Sequence, residues 1–175
     1  MAGWVIEIDA TWDGAAWAPS ESVQIFAEIA GTELVLQIDA PFHGDPAPEG
    51  PPGSTDGLWN HEVVELFIAG EGTAPVRYLE IELGPHGHHL GLQLVGVRNV
   101  VERGLPIRFE ARIKGDRWTG EARLPLAWLP PAPHRVNAYS IHGVGEARRY
   151  LALSAVPGER PDFHQPDHFV ALTFA

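Results

Sequence analysis

Two glutamates stand in a stretch that otherwise reads as buried strand. In GLWNHEVVELFIAG, residues 57–70, Val63, Val64, Leu66, Phe67 and Ile68 suit the interior of a sheet, whereas Glu62 and Glu65 do not. A second such stretch, VRYLEIEL (76–83), carries Tyr78, Glu80 and Glu82 at alternate positions. Carboxylates gathered in a cleft can bond the hydroxyls of a polar ligand. They can also form the acid–base pair of a glycosidase, whose separation sets retention or inversion. Buried and ionised, they need a charged or hydrogen-bonding partner. Arg77, Arg98, Arg112 and Arg149 are available for that purpose, to hold the register of a sheet.

Histidines offer a different chemistry. Among nine of them, His86 and His88 in PHGHH have the spacing of two ligands on one side of a strand. Asp162, His164, Asp167 and His168 form a second grouping in PDFHQPDH. A metal site requires three or four ligands converging near ~2.1 Å with a supporting shell. Neither grouping lies in a recognised ligand motif, so both read first as surface or turn histidines. A haem between two histidines is a further alternative, with no pair marked as axial. Phosphate loop, nucleophile elbow and HExxH are all absent. His142 could join a carboxylate in acid–base work.

Six tryptophans carry more weight. Indole faces stack on the C–H patches of sugar rings while neighbouring carboxylates, amides and guanidinium groups bond the hydroxyls. Trp12, Trp17 and Trp59 fall in or beside loops and suit an open site; Trp118 and Trp128 read as core.

The elements that must position these residues are strands. Eleven apolar or alternating segments follow one another between glycine and proline breaks: 4–10, 22–30, 33–40, 61–69, 76–83, 88–97, 107–113, 117–124, 135–142, 149–156 and 168–174. This predicts a single all-β domain over 1–175, an antiparallel sandwich of about 10–11 strands with at most one short helical turn, at 126–129. Gly31-Thr32 and Gly115-Asp116 read as hairpin turns. Residue parity places Leu79, Ile81 and Leu83 on one face and Tyr78, Glu80 and Glu82 on the other, and sends Glu62 and Glu65 to opposite faces. Residues 41–60, rich in proline and glycine, form a long loop that Phe42 and Trp59 could pin as a flap.

Bulk properties narrow the partners. Twelve basic against 23 acidic residues give a formal charge of −11, which disfavours nucleic acid and anionic membranes. Without cysteine there is neither disulfide nor thiolate metal site. No apolar run reaches the ~20 residues of a membrane helix. The N-terminus lacks a signal-peptide pattern, so a cytoplasmic location is expected.

The order of the pieces resembles the family 9 carbohydrate-binding modules and the related DOMON-type sandwiches. The residues concerned are Glu62-x-x-Glu65, the strand ending ELGP (82–85), GDRWTGEARLPLAWLP (115–130), Val136-Asn137 and a closing aromatic strand. A likeness over nearly the whole chain is to the uncharacterised family that includes the human chromosome-4 open reading frame 33 protein. It rests on ATWDG (10–14), DAPFHGDPAP (39–48), LWNHEVVELF (58–67), YLEIELGPHG (78–87), RNV (98–100), IHG (141–143) and PDFH (161–164). The sandwich resemblance implies a jelly roll with a sugar site of aromatic clamps and polar residues, sometimes with structural calcium. It carries over onto Glu62, Glu65 and Asn137. Ser140 stands where those modules often have an arginine. The expectation is therefore a non-catalytic domain for a carbohydrate-like small molecule, with Trp59, Glu62, Glu65, Tyr78, Glu80, Arg98, Asn137 and His142 at its site. An enzyme using paired carboxylates, or a metal- or haem-binding protein using His86, His88, His164 and His168, are the alternatives.

Overall fold

In ELVLQIDA the apolar residues Leu34, Leu36, Ile38 and Ala40 recur at every second position, and the chain answers with a strand buried along that side. The same logic, repeated, produces the two antiparallel sheets of the computed structural model, which describes residues 3–174. One sheet has the order β1 (Gly3–Ile8), β3 (Val23–Ala30), β4 (Glu33–Pro41), β10 (Arg117–Pro125), β9 (Arg108–Lys114). The other runs β2 (Ala10–Thr11), β12 (Arg149–Ala152), β11 (His134–His142), β5 (Val63–Gly70), β6 (Arg77–Leu83), β7 (His89–Val95), β8 (Val100–Arg103), with β13 (Val170–Ala171) beside β11.

All eleven segments read from alternation contain strands; β2 and β8 are the short additions. Gly31-Thr32 joins β3 to β4 and Gly115-Asp116 joins β9 to β10, with Gly31 and Gly115 at φ 63° and 64°, the left-handed conformation such turns require. The turn foreseen at 126–129 is a 3-10 turn, Leu126–Trp128. Single 3-10 turns also occur at Pro19–Glu21, Leu58–Asn60, Gly145–Ala147 and Pro166–His168. No helix among the described residues is long and apolar enough to cross a membrane.

Between the sheets lies the main core: Ile6, Ile25, Leu34, Leu36 and Trp118 meet Val64, Leu66, Ile68, Leu79, Ile81 and Ala138. Each large side chain so buried contributes on the order of 1.5–3 kcal/mol. The second sheet is covered on its outer face too. There Phe67, Tyr78, Leu90, Leu92, Tyr139 and Ile141 form another apolar cluster with Leu58 and Phe169, and Phe163 packs against it. The ring of Phe163 stacks on Tyr139 at 3.7 Å. β5 is consequently buried at every position. The polar, half-exposed face expected for Tyr78, Glu80 and Glu82 is an interior instead, because the end of the 41–60 loop and the segment after β12 fold over it.

Candidate functional site

Strand register assembles the site. Two rows of side chains cross the outer face of the second sheet through β11, β5, β6 and β7. The first is Tyr139, Glu65, Glu82, Leu90; beside it run Asn137, Phe67, Glu80, Leu92. Three carboxyls thus meet in an apolar frame, with Glu65, Glu80 and Glu82 only 2%, 4% and 0% exposed. Both oxygens of Glu82, Oε1 of Glu65 and Oε2 of Glu80 have no hydrogen-bond partner. The arginine partner expected for such an acid is missing: none of the three forms an ion pair with an arginine among the described residues.

The physical consequence is protonation. Burial, followed by the neighbouring Glu80, holds the Glu65 carboxyl well above the usual carboxylate range. Glu82 is pushed up to about 11, by burial first and then by Glu65 and Glu80. Burial also lifts Glu80, which settles at about 7 with the adjacent Glu82 carboxyl, then Arg103 and Arg98, pulling it down. Neutral carboxyls can donate as well as accept hydrogen bonds, so at neutral pH Glu65 and Glu82 are donors while Glu80 stands near its midpoint.

Above the cluster opens a cavity of about 460 Å³. Glu65, Phe67 and Glu80 line it from the sheet, and Trp59, Arg98, Arg103, Arg148, Tyr150, Phe163 and His164 supply the remaining surface. Four of the residues expected from sequence come together here: Trp59, Glu65, Glu80 and Arg98. Trp59 is 40% exposed, which leaves part of its indole open to the cavity.

Each wall residue is held by its own contacts. Arg98, with φ 61°, donates its backbone N–H to the Tyr78 hydroxyl at 2.9 Å and its guanidinium to Asp162 at 2.5 Å. The Tyr78 hydroxyl sits 2.8 Å from Nδ1 of His164. Nε2 of the same ring lies 3.8 Å from Glu80 Oε2. Burial, then Arg98, lowers the His164 pKa to about 4, so the ring is neutral. Arg103 pairs with Asp56. Arg148 donates to three carbonyls, Gly143 at 2.9 Å, Trp59 at 2.7 Å and His61 at 3.1 Å, and lies 5.9 Å from the Tyr150 ring centre.

The other expected site residues serve elsewhere. Tyr78 lies behind the cavity wall and braces His164 and Arg98. Asn137 is fully buried: its amide donates to the Tyr139 hydroxyl and the Ser154 carbonyl, and its oxygen accepts from the N–H groups of Ala138 and Ser154. Glu62 precedes β5 and accepts the N–H groups of His43 and Asp45 at 2.8 and 3.2 Å, anchoring the 41–60 loop. His142 stacks on His43 at 3.5 Å and contacts Glu21 at 3.2 Å. Trp12 and Trp17 do not line the cavity.

The histidine groupings do not converge. His88 contacts the Thr55 hydroxyl through Nδ1, His86 packs edge-on to Phe42, and His168 ends the 166–168 turn. Among the described residues no three His, Asp or Glu side chains are placed to hold a metal ion. Arg103, Arg148, Tyr150 and Phe163 were not anticipated; nothing local marks them, since each arrives from a separate segment.

No family model matches the chain. In overall shape it is similar to a candidate carbohydrate-binding protein of Bacteroides uniformis, with a TM-score of 0.73 and 19% identity over 98% of this chain and 86% of that one. It is also similar to a family 9 carbohydrate-binding module of Caldicellulosiruptor kristjanssonii in complex with glucose, with a TM-score of 0.63 and 11% identity over 95% and 83%. At these identities the likeness is one of fold. In sequence it is 40% identical to the human UPF0462 protein C4orf33 over 96% of this chain and 87% of that protein. The mouse homolog is 39% identical over 96% of this chain and 90% of that protein. The chain therefore belongs to the UPF0462 (C4orf33) family, on a sandwich of the kind used by family 9 carbohydrate-binding modules.

Proposed function

We propose that the cavity over Glu65 and Glu80 binds a carbohydrate-like small polar molecule without transforming it. The observation that carries this reading is the pairing of an exposed indole, Trp59, with two buried carboxyls whose oxygens lack partners, in one cavity. The indole supplies a face for the C–H side of a ring. A protonated Glu65 can donate and accept, and Glu80 accepts when ionised and donates when protonated, so both suit hydroxyl groups. A volume of about 460 Å³ falls within the usual range for small-molecule sites. Modules of similar fold are found with glucose and with cellotriose, which selects the first ligands to try. Calorimetric titration with mono- and disaccharides should give saturable binding that Trp59→Ala abolishes while leaving the melting temperature in place. Saturable binding that survives Trp59→Ala would remove the indole from the site, and no binding by any sugar would end this reading.

One observation favours catalysis as the second reading. Two carboxyls with raised pKa, Glu65 and Glu80, face the same cavity, and Glu80 at about 7 is poised to exchange a proton at neutral pH. Turnover of aryl glycosides lost in Glu80→Gln would establish it.

A further inference from the structure

Twelve basic residues are thinly spread over a chain of net charge −11, yet three of them, Arg98, Arg103 and Arg148, converge on this one cavity. Their situations differ. Arg98 is compensated by Asp162 and Arg103 by Asp56. Arg148 pairs with no carboxylate among the described residues; instead its donors are fixed by the carbonyls of Gly143, Trp59 and His61. Carbonyls orient a guanidinium without neutralising it. The outcome is a positioned, uncompensated cation in the wall, tied directly to the backbone of the aromatic residue Trp59.

The floor does not balance it. Glu65 and Glu80 are at least nine-tenths buried, carry oxygens without partners, and have no arginine within ion-pair distance. His164, beside them, is neutral. With Glu65 protonated and Glu80 near its midpoint, the charges facing the cavity are three guanidinium groups against Asp162 and a partly ionised Glu80, an excess of cation. A cationic ligand would meet that excess unfavourably, and a neutral sugar would leave Arg148 without a counter-charge. Arg148 can give a ligand carboxylate the charge-assisted hydrogen bonds that arginine makes with planar anions.

We propose that the ligand is a sugar acid, a pyranose bearing a carboxylate, held with its ring against Trp59, its carboxylate on Arg148 and its hydroxyls on Glu65 and Glu80. This rests on the carbohydrate-binding reading and names its ligand class. An ionised Glu80 would repel the ligand carboxylate, so affinity should fall as pH rises through about 7.

The test is calorimetric titration of the full chain with glucuronate, galacturonate, glucose, galactose and glucose 6-phosphate. Wild type should bind one of the uronates at least tenfold more tightly than its neutral counterpart, with affinity falling as salt rises from 20 to 500 mM, an order-of-magnitude expectation for a partly exposed charge pair. Arg148→Gln should erase that preference, and Arg148→Lys should restore part of it, which separates lost charge from a loosened Trp59 loop. Equal or tighter binding of the neutral sugars would overturn the sugar-acid inference and leave the carbohydrate reading intact. Preference for the phosphate over both uronates would overturn it as well. Absence of binding by every sugar would remove both readings together.

Discussion

Glu65 and Glu82 are register partners across β5 and β6, facing each other on the outer side of the second sheet with Glu80 beside them and no arginine paired to any of the three. Like charges directly opposite on a sheet are destabilising, and a dry surrounding multiplies the cost of each. The fold meets this by keeping protons on the carboxyls, and the same protons define what the cavity above can recognise.

Stability should therefore fall as the solution turns alkaline. The folded-state pKa values of Glu82, about 11, and of Glu65 lie above the ordinary 4.5. Their contribution is complete below about pH 4.5 and is lost progressively as pH rises toward the folded values, at about 1.4 kcal/mol per pH unit for each group ionised only when unfolded. Urea unfolding between pH 8 and 9 reads this loss, above the ordinary histidine range of about 6.5 and above Glu80 at about 7. Glu82→Gln, which mimics the protonated acid, should flatten the slope and exceed wild type in stability at pH 9. A wild-type stability that rises over this range would mean the cluster is ionised and paired.

Acid should loosen the loop that carries Trp59. His43 and His142 stack at 3.5 Å with Glu21, Asp45, Glu62 and Arg149 around them, and burial lowers both pKa values. A depressed histidine pKa contributes stability that is present above about pH 6.5 and lost as pH falls below it. Glu62, raised by burial, works in the opposite sense at lower pH. Hydrogen exchange at the amides of His43, Asp45 and Gly143, corrected for intrinsic rates, should show weaker protection at pH 5.5 than at pH 7.5. His142→Gln should lose that dependence; unchanged protection in wild type would show that the stack does not hold the loop.

Asn137 should matter for folding and not for ligand. Removing its amide leaves the buried N–H groups of Ala138 and Ser154 and the Ser154 carbonyl without their partner. Asn137→Ala is expected to cost about 3 kcal/mol in urea unfolding, with ligand affinity kept at temperatures where the variant is folded. An affinity lost without a stability change would return Asn137 to the binding surface.

Gly143 stands at φ 86°, and a Cβ there would collide with the Ala147 carbonyl. Gly143→Ala should lower stability by about 1–3 kcal/mol and weaken the contact its N–H makes with Asp45. A melting temperature within a degree of wild type would show that the 143–148 turn relaxes freely.

Strand after strand was determined by local pattern, because alternation at period two can be read from neighbours in sequence. That is why the eleven strand segments and the two hairpin turns were legible in the chain. What parity could not decide is what stands opposite. Register between β5 and β6 brings Glu65 to Glu82, and residues 98–103, 148–150 and 161–164 come from distant segments to close the cavity. Only the tertiary structure made the acidic face an interior, through Leu58, Phe163 and Phe169 folding across it. It also sent Asn137, on the strand face of Tyr139 and Glu65, and His142, at the end of the same strand, to structural duty. Solvent exclusion and strand pairing are non-local, and with them went the protonation of the glutamates and the isolation of Arg148.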